Sequence, residues 1–500
     1  MAVVFSSNGA QIIEQLLAAS ETVTQTRPDE LDREYEIEET CNFITRNQFK
    51  KIALQFPDEL LADSAAVAFR VEQATGSKTY ILGDTSYGSC CVDEVAAEHV
   101  GADCIIHYGR ACLSPSRRLP VMYVFGQRPL DVKQCAASFR QLYPDTQSRV
   151  VVLCDVVYSY VLDDLRNILH PEYKHVVFSS ICPDRTSFIS CYQSEGPSQE
   201  KNEKSQCRDS PKSQKLICRF GRQIATEENY HIDDYGMFYL GPESLTLTNF
   251  MMSWNKCTFC TFNPITGTGR QDSLNVNKAL MKRYYLIERA RDAQVVGILV
   301  GTLGVADYLS VIDHLKELIR KAGKKSYTFV MGRLNAAKLA NFLEVDIYVL
   351  VACPENSLLD SSEFYRPVVT VFEMELACNK AREWTGEYIT DFGDLLPGAC
   401  SHVPIPAENP EDDGNYDVSL ITGHLRSTHL PQAQPQNDSS CTAVAPRNEM
   451  LTVAEPHCSA SHLASRSWKG LEQKLGETPV TKAVEGRRGI AIAYEDEVNS

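Results

Sequence analysis

The sequence predicts an α/β protein that repeats one parallel-sheet unit three times. Residues 51–108 and 295–351 can be laid side by side, and both read as strand, helix, strand, helix, strand. Short apolar runs that alternate with helices are typical of parallel sheets covered on both faces. A length of 500 residues also agrees with three domains of about 150 residues each.

The individual elements follow from local patterns in the two clearest copies. The strands are predicted at residues 51–56, 78–83 and 101–108 in the first copy, and at residues 295–300, 326–331 and 344–351 in the second. One helix ends near Gly76 and another ends at Gly323, where a glycine can supply a left-handed cap. The second helix is marked by apolar side chains at helical spacing, namely Leu309, Ile312, Leu315, Leu318 and Ile319.

A more divergent middle copy and two polar regions complete the chain. The middle copy begins at residues 149–154 and continues through residues 175–180. Residues 193–215 are rich in Ser, Lys, Glu, Gln and Pro, which predicts a solvated, flexible insertion. Beyond about residue 403 the chain is polar, with apolar signals at residues 467–471 and 489–494. The predicted segments are an N-terminal extension (1–36), three α/β domains (37–148, 149–275 and 276–403) and a partly disordered tail with short docking segments (404–500).

Composition and charge narrow the classes of protein to which the chain could belong. Apolar residues make up 43% and charged residues 23%, as in globular proteins. The net charge of −16 disfavours direct binding to nucleic acid or to anionic membranes, because both need a concentrated basic face. The N-terminus has no signal-peptide pattern, and no apolar stretch reaches the roughly 20 residues that span a bilayer. We therefore expect a cytosolic protein.

Four of the 18 cysteines stand just beyond the carboxyl ends of predicted strands, where parallel sheets gather ligands. Cys90 and Cys91 follow the strand at residues 78–83, while Cys112 and Cys353 occupy equivalent places after the third strands of the two copies. Three thiolates brought together there suit an iron–sulfur cluster or zinc. Because neighbouring side chains of an extended segment point to opposite sides, we expect only one of Cys90 and Cys91 to face the site.

Other motifs give weaker predictions. Cys257 and Cys260 form a lone CxxC, which zinc sites and redox pairs share, but no second pair stands nearby, and two thiols in a polar connecting loop are the favoured interpretation. Residues 75–79 depart from a Walker phosphate loop and read as a helix cap before a strand. Gly301 and Gly304 follow a strand, so this segment either holds an anion or packs tightly.

Several long motifs resemble those of the diphthamide synthesis proteins. They are YGSCCVDE at residues 87–94, GADCIIHYGRACL at residues 101–113, GTLG at residues 301–304 and EVDIYVLVACP at residues 344–354. Two tail segments, DVSLITG at residues 417–423 and SRSWKGLE at residues 465–472, resemble the second-subunit branch of that family. The resemblance covers most of residues 35–425 and the ends of the tail.

The resemblance implies three Rossmann-like domains around a central [4Fe-4S] cluster. In this family, a reduced cluster splits S-adenosylmethionine, and a 3-amino-3-carboxypropyl group passes to one histidine of elongation factor 2. The ligands of the second-subunit pattern map to Cys91, Cys112 and Cys353. Catalytic members take one ligand from each of three domains, whereas the middle unit here offers Cys154 and Cys182 without a matching motif.

The resemblance therefore implies an auxiliary subunit rather than the catalyst. The chain is expected to pair with a paralogous catalytic subunit, at which S-adenosylmethionine is used, and to keep that subunit's cluster reduced. Electrons would arrive from a small metal-binding protein and an NADH-dependent reductase, and elongation factor 2 would be the protein substrate. Two alternatives remain open: a scaffold subunit without a functional cluster, and a zinc or redox α/β protein that uses Cys257 and Cys260.

Overall fold

The computed structural model describes most of the first 406 residues and short pieces beyond them. The described residues are 25–83, 89–116, 118–182, 214–272, 274–332, 334–359, 364–399, 401–406, 417–423, 425–426, 489–490 and 493–494. The chain divides into a larger unit, Met1–Asn437, and a smaller unit, Asp438–Ser500. Within the described ranges, no helix is both long enough and apolar enough to cross a membrane.

A sheet of four parallel strands forms the first part of the larger unit. The elements of this region are α1 Leu31–Glu34, α2 Ile37–Asn47, β1 Lys51–Gln55, α3 Ser64–Thr75, β2 Lys78–Leu82, α4 Glu94–His99, β3 Cys104–Tyr108 and β4 Val121–Val124. The strands lie in the spatial order β2-β1-β3-β4. Ile52 and Leu54 pack in one hydrophobic cluster and Ala53 packs in another, so both faces of β1 are covered, as predicted.

A five-stranded sheet lies in the middle of the larger unit. The elements are α5 Val132–Leu142, β5 Val150–Cys154, α6 Leu162–Leu169, β6 Val176–Phe178, β7 Ser180–Ile181, β8 Gln214–Arg219, β9 Arg222–Glu227, β10 Gly236–Leu240, α7 Leu245–Ser253, β11 Phe259–Asn263 and β12 Thr268–Asp272. Its spatial order is β6-β5-β10-β11-β12, and only β12 runs antiparallel to its neighbour. Strands β7, β9 and β8 form a separate antiparallel sheet in that order.

The third sheet again has four parallel strands. The elements are α8 Leu274–Asp292, β13 Val295–Val300, α9 Tyr308–Lys321, β14 Lys325–Val330, α10 Ala336–Leu339, β15 Ile347–Val351, α11 Pro354–Ser357, β16 Val368–Thr370 and α12 Val371–Cys378. The strands lie in the order β14-β13-β15-β16. The prediction that Leu309 belongs to the buried apolar stripe was wrong, because its side chain is 60% exposed, and Val311 is buried instead. At about 100° of rotation per residue, Leu309 lies well to one side of the buried stripe of α9.

The three parallel sheets share one strand order. Counted along the chain within each sheet, the second parallel strand lies outermost and is followed by the first, the third and the fourth. The sequence analysis did not predict the fourth strands β4, β11 and β16, which have four, five and three residues. The fold is thus mixed α/β with several parallel-sheet units, and the domain boundaries drawn from the sequence stay predictions.

Two short antiparallel pairs follow the third sheet. They are β17 Asp417–Val418 with β18 Leu425–Arg426 in the larger unit, and β19 Gly489–Ile490 with β20 Ala493–Tyr494 in the smaller unit. The hydroxyl of Ser419 donates to Asp292 Oδ2 at 2.7 Å and so docks the first pair at the end of α8. Residues 193–213 of the predicted insertion lie outside the described residues, and its last two residues begin strand β8. The apolar signal at residues 467–471 also lies outside the described residues.

Candidate metal centre

Four cysteine sulfurs lie together at the carboxyl ends of strands from the first and third sheets. Cys90 Sγ lies 3.9 Å from both Cys91 Sγ and Cys353 Sγ. Cys112 Sγ lies 3.9 Å from Cys91 Sγ. All four sulfurs lie within 4.8 Å of one another, and all four residues are buried. The three cysteines singled out by the sequence are thus neighbours, and Cys90 joins them in what we call the sulfur cluster.

Cys90 and Cys91 both reach the sulfur cluster because the chain turns there. Residues 89–91 form a turn and a bend rather than an extended segment, so adjacent side chains are not forced to opposite sides. The prediction that only one of the two faces the site was wrong for this reason. The backbone N–H of Cys112 donates to the Cys90 carbonyl at 3.0 Å and ties this turn to the next loop.

Cys112 and Cys353 reach the sulfur cluster from equivalent strands of two sheets. Cys112 follows β3 and Cys353 follows β15, each the third parallel strand of its sheet. The buried His107 of β3 donates from Nε2 to the Arg110 carbonyl at 3.0 Å and holds the loop that leads to Cys112. The N–H of Asn356 donates to the Cys353 carbonyl at 3.0 Å. Local hydrogen bonds therefore set both loops before any metal is considered.

A buried glutamine holds the backbone around Cys91. Gln55, the last residue of β1, donates from Nε2 to the Cys91 carbonyl at 2.8 Å. Its Oε1 accepts from the N–H of Asp93 at 2.9 Å. Both ends of the amide are therefore used on backbone groups that flank one residue, Val92. Losing this side chain would leave a buried carbonyl and a partly buried N–H group without their partner, which costs more than losing both members of a hydrogen bond.

The third sheet approaches the same loop through a glycine. A Cβ placed on Gly304 would lie 2.2 Å from the Val92 carbonyl oxygen, so only glycine allows this approach. The helix after this segment begins at Tyr308, four residues farther on. Of the two interpretations of the glycine segment, tight packing is therefore confirmed at Gly304, and no helix terminus lies directly at its end to hold an anion.

One ion pair joins the loops that carry Cys112 and Cys353. Arg110 stands two residues before the first of these cysteines, and Glu355 stands two residues after the second. Arg110 Nη2 lies 3.2 Å from Glu355 Oε2, and the hydroxyl of Thr246 in α7 donates to Glu355 Oε1 at 2.7 Å. Side chains from all three sheet regions thus meet at one buried carboxylate. The sequence shows a charged residue near each of these cysteines, but residue spacing alone could not predict that Arg110 and Glu355 form an ion pair.

The four buried thiols cannot all ionise without a cation. Hydrogen bonds from the thiols of Cys353, Cys90 and Cys91 hold the pKa of the Cys112 thiol well below its usual range. The hydrogen bond to Cys112 raises the pKa of Cys91 and of Cys353 well above theirs. Burying several thiolates together is unfavourable unless a positive charge accompanies them. A soft metal would supply that charge, so the donor set fits an iron–sulfur cluster or zinc.

The two candidate cysteines of the middle region lie elsewhere. Cys154 ends β5 and packs in the hydrophobic core of the middle sheet, and Cys182 directly follows β7. Neither belongs to the sulfur cluster. Among the described residues of the middle region, Thr246 bonds Glu355 of the Arg110–Glu355 pair, which we call the junction, and none adds a sulfur to the sulfur cluster.

Cys257 and Cys260 are buried in two different hydrophobic clusters. Their interpretation as thiols of a polar loop was wrong, because β11 begins at Phe259 and places Cys260 inside the sheet. Burial raises the pKa of the Cys257 thiol to about 12. The two thiols pack in different clusters, and among the described residues neither belongs to a group of potential metal ligands, so the geometry gives no support to a zinc or redox site here.

A cavity of about 610 Å³ borders the sulfur cluster at Cys112. Its wall includes Arg219 from the middle region and Asp391 and Asp394 from the segment after the third sheet. Burial raises the pKa of Asp391 to about 7, and the neighbouring Asp394 adds to the shift. Asp394 Oδ2 lies 4.0 Å from Arg219 Nη2. The cavity wall therefore changes charge near neutral pH.

A buried group of four thiols beside parallel sheets is characteristic of α/β proteins with a thiolate-ligated metal centre. The family profile for diphthamide synthesis proteins matches residues 56–389. This chain belongs to the diphthamide synthesis family. The membership confirms the resemblance carried by the cysteine motifs.

Relatives at high identity share one name. The chain is 60% identical over 467 residues to the 2-(3-amino-3-carboxypropyl)histidine synthase subunit 2 of Danio rerio, covering 93% of this chain and 92% of that protein. It is 54% identical over 500 residues to the protein of the same name from Xenopus laevis, covering 100% of both. The similarity to subunit 2 proteins agrees with the tail segments that resembled the second-subunit branch.

Solved structures show a related fold. A crystal structure of Dph2 from Pyrococcus horikoshii has a TM-score of 0.52 and 18% identity, covering 71% of this chain and 94% of that chain. A crystal structure of the same protein with a 4Fe-4S cluster has a TM-score of 0.51 and 18% identity, covering 70% and 93%. The likeness is one of fold, and it agrees with a mixed α/β architecture of several parallel-sheet units.

Proposed function

We propose that this chain is the auxiliary iron–sulfur subunit of a heterodimer that carries out the first step of diphthamide synthesis. That step transfers a 3-amino-3-carboxypropyl group from S-adenosylmethionine to a histidine of elongation factor 2. The chain holds a [4Fe-4S] cluster through Cys91, Cys112 and Cys353, and it supports reduction of the catalytic subunit's cluster. S-adenosylmethionine is used by the complex at the partner subunit.

The observation that carries this proposal is the convergence of these three cysteines from distant parts of the chain. Residues 91, 112 and 353 come from two sheets, yet their sulfurs lie within 4.8 Å of one another in a buried pocket of thiols. Thiolates are the ligands of iron–sulfur clusters, and a buried site limits access of water and oxidants. When bound, the cluster would supply and accept single electrons.

The composition of the junction supports an auxiliary role. Catalytic members of the family take a ligand from each of three domains, whereas here Thr246 of the middle region bonds the buried Glu355 instead. The protein's own part is then to hold the thiolates still, which it does through Gln55 and through the Arg110–Glu355 pair. A site that is shielded from solvent favours repeated electron transfer, because little water has to reorganise between its redox states.

Partners and surroundings follow from the same proposal. The three sheet regions are Rossmann-like repeats around the cluster, and their shared strand order supports this. The names of the relatives, each a subunit 2, support pairing with a paralogous catalytic subunit. A small metal-binding protein and an NADH-dependent reductase supply electrons in the cytoplasm. The net charge of −16 argues against nucleic acid or a membrane surface as a further partner.

Anaerobic purification tests the metal assignment. We expect a brown protein with broad absorbance near 400 nm, roughly as such clusters show, and equal amounts of iron and acid-labile sulfide. A variant with Ala at residues 91, 112 and 353 should be colourless. The control is Cys135→Ala, which removes a fully buried thiol that lies outside the sulfur cluster and should keep the colour. A colourless wild-type protein without iron or sulfide would overturn the assignment.

Reconstitution with the catalytic subunit tests the role. Modification of elongation factor 2 is measured with limiting biological reductant and again with excess dithionite. The triple alanine variant should slow the reaction at least about tenfold in the first condition, and excess dithionite should restore it. If the variant matches wild type under limiting reductant, the subunit is a scaffold and the electron-relay role is wrong.

Zinc is the second candidate, and the sulfur spacing favours it. Tetrahedral zinc with Zn–S bonds of about 2.3 Å places its sulfurs about 3.8 Å apart, close to the 3.9 Å between neighbouring sulfurs here. An iron–sulfur cluster is larger than a single ion, so the loops around it would have to separate. Metal analysis of the anaerobic protein decides between them. One equivalent of zinc without acid-labile sulfide would show that the site holds zinc rather than an iron–sulfur cluster.

A further inference from the structure

We infer that Cys90 is a fourth ligand of the cluster, so that every iron is held by a thiolate of this chain and none is left open to an outside ligand. The inference rests on the proposed iron–sulfur function and goes beyond the three ligands assigned there. It concerns what kind of chemistry the cluster can do, because a small molecule can bind only to an iron that lacks a protein ligand.

The position of Cys90 is that of a ligand rather than of a bystander. Its sulfur lies 3.9 Å from that of Cys353, a residue 263 positions away in the sequence, and 3.9 Å from that of Cys91. It shares with them and with Cys112 the limit of 4.8 Å between any two sulfurs. The residue is 7% exposed. By distance and burial, nothing separates Cys90 from the three cysteines that the sequence motifs selected.

A second contact is aimed at the sulfur of Cys90 itself. The side-chain amide of Asn356 donates from Nδ2 to Cys90 Sγ at 3.4 Å. Amide hydrogen bonds to sulfur stabilise thiolates and tune the potential of clusters bound to them. A cysteine that only filled space in an apolar core would gain little from such a donor. The loop after β15 therefore supplies both one ligand, Cys353, and a hydrogen bond to another.

The backbone also fixes Cys90 relative to the other ligands. Its carbonyl accepts from the N–H of Cys112 at 3.0 Å, which links the turn at residues 89–91 to the next ligand loop. Cys91 is fixed in turn by Gln55. The two adjacent cysteines are thus held by different partners on the two sides of the turn. This is how neighbours in sequence can both face one metal group.

Four thiolates change what the cluster can do. With three ligands, one iron could bind the amino and carboxyl groups of a molecule such as S-adenosylmethionine. With Cys90 as the fourth ligand, the cluster can still gain and lose an electron, but it has no position for that molecule. The same sulfur that completes the site would therefore confine this subunit to electron transfer.

Oxidation of the anaerobic protein by ferricyanide provides the test. A cluster with an open iron gives up one electron to ferricyanide and releases that iron as Fe²⁺, which leaves a three-iron form with its own electron paramagnetic resonance signal. We expect the wild-type cluster to resist this conversion. The Cys90→Ala protein should retain a cluster and give at least about fivefold more of the three-iron signal. The matched control, Cys135→Ala, should behave like wild type.

A second readout uses the reduced cluster and needs no catalysis. S-adenosylmethionine should leave the resonance spectrum of the reduced wild-type protein unchanged and should shift that of Cys90→Ala. A wild-type protein that converts readily to the three-iron form, or whose spectrum responds to S-adenosylmethionine, would overturn the inference even if Cys90→Ala failed to fold. A wild-type protein without iron and sulfide would overturn the proposed function instead, so the two failures are distinct.

Discussion

The first and third sheets differ from the middle sheet in the side chains that stand beyond their third parallel strand. After β3 and β15 the chain reaches Cys112 and Cys353, whose sulfurs enter the sulfur cluster. After β10 it reaches α7, where Thr246 donates its hydroxyl to Glu355. The same strand order therefore places a candidate metal ligand after the third strand in two sheets and a hydrogen-bonding threonine in the other.

The difference shows that the sheet topology fixes where each strand-end loop lies, whereas the side chains on that loop determine whether it can bind a metal. Loops at the carboxyl ends of parallel strands are brought to one place by the topology, whatever their residues. The chemistry of the place then depends on single side chains, so related units can diverge without any change of fold. Here the middle region keeps its place in the junction through a hydrogen bond to Glu355. Substitutions in the sulfur cluster and in the middle region test whether only the first and third sheet regions contribute to metal binding.

The largest effect is expected from Cys353→Ala, compared with Cys154→Ala in the middle sheet. Loss of Cys353 should lower bound iron at least about tenfold, because the site loses a proposed ligand that is fully buried. Cys154→Ala should keep wild-type iron and lose only about 1 kcal/mol of stability from a small cavity. Iron and sulfide analysis of both purified proteins provides the measurement. Equal loss of iron in the two variants would mean that the middle sheet does supply a ligand.

The pH dependence of stability tests the contact between the third sheet region and the middle region. Burial raises the pKa of Asp391 to about 7, against about 3.9 for an unfolded aspartate. Between these values the folded state binds the extra proton, so stability should fall as pH rises from about 4 to 7. The full shift corresponds to at most about 4 kcal/mol, and less for a residue that is partly exposed.

Asp391→Asn should remove that fall and leave the variant about 2 kcal/mol more stable than wild type at pH 8. Asparagine can still accept the bond from the N–H of Gly393, which lies 2.9 Å from Asp391 Oδ1. Denaturant unfolding at a series of pH values measures the slope. The control Asp163→Asn changes a carboxylate that is 82% exposed and should keep the wild-type slope. An unchanged slope in Asp391→Asn would show that this carboxyl does not titrate there.

Gly304→Ala tests the close approach of the third sheet region to the loop of Cys91. The new Cβ would lie 2.2 Å from the Val92 carbonyl oxygen, and a backbone atom cannot move away cheaply. We expect a loss of about 1–3 kcal/mol, as for overpacked sites, together with lower iron content. Gly83→Ala is the matched control, since no atom of the described residues lies within 4 Å of its added Cβ. If both variants unfold at the same denaturant concentration, the approach is looser than the structure indicates.

The smallest effect on iron content is expected from Thr246→Val, which removes the middle region's hydroxyl from Glu355. One hydrogen bond to a buried charged group is worth about 1.5–3 kcal/mol. The iron content should stay near wild type, because no ligand is lost. Thr248→Val changes an exposed residue of the same helix and should alter stability by less than about 0.5 kcal/mol. Loss of iron in Thr246→Val would give the middle region a direct part in the metal site.

Much of the fold could be predicted because its signals are local. The strands at Lys51–Gln55 and Val295–Val300, and the helix cap at Gly76, follow from short apolar runs and one left-handed glycine. The strand Val368–Thr370 could not be predicted, because three residues are too few to show an alternating pattern. Cys260 was misplaced because the CxxC motif was interpreted as a loop, although the Thr and Phe residues on both sides of it are typical of strands.

The sequence by itself determined the repeat, the strand-end positions of Cys91, Cys112 and Cys353, and the family resemblance, because each depends on residue types at fixed spacing. Only the tertiary structure decided that Cys90 joins them, because a turn rather than a strand carries it. Only the tertiary structure, likewise, brought the carboxylate of Glu355 to a hydroxyl 109 residues away. Contacts between distant loops depend on how whole sheets pack, and no local pattern records that.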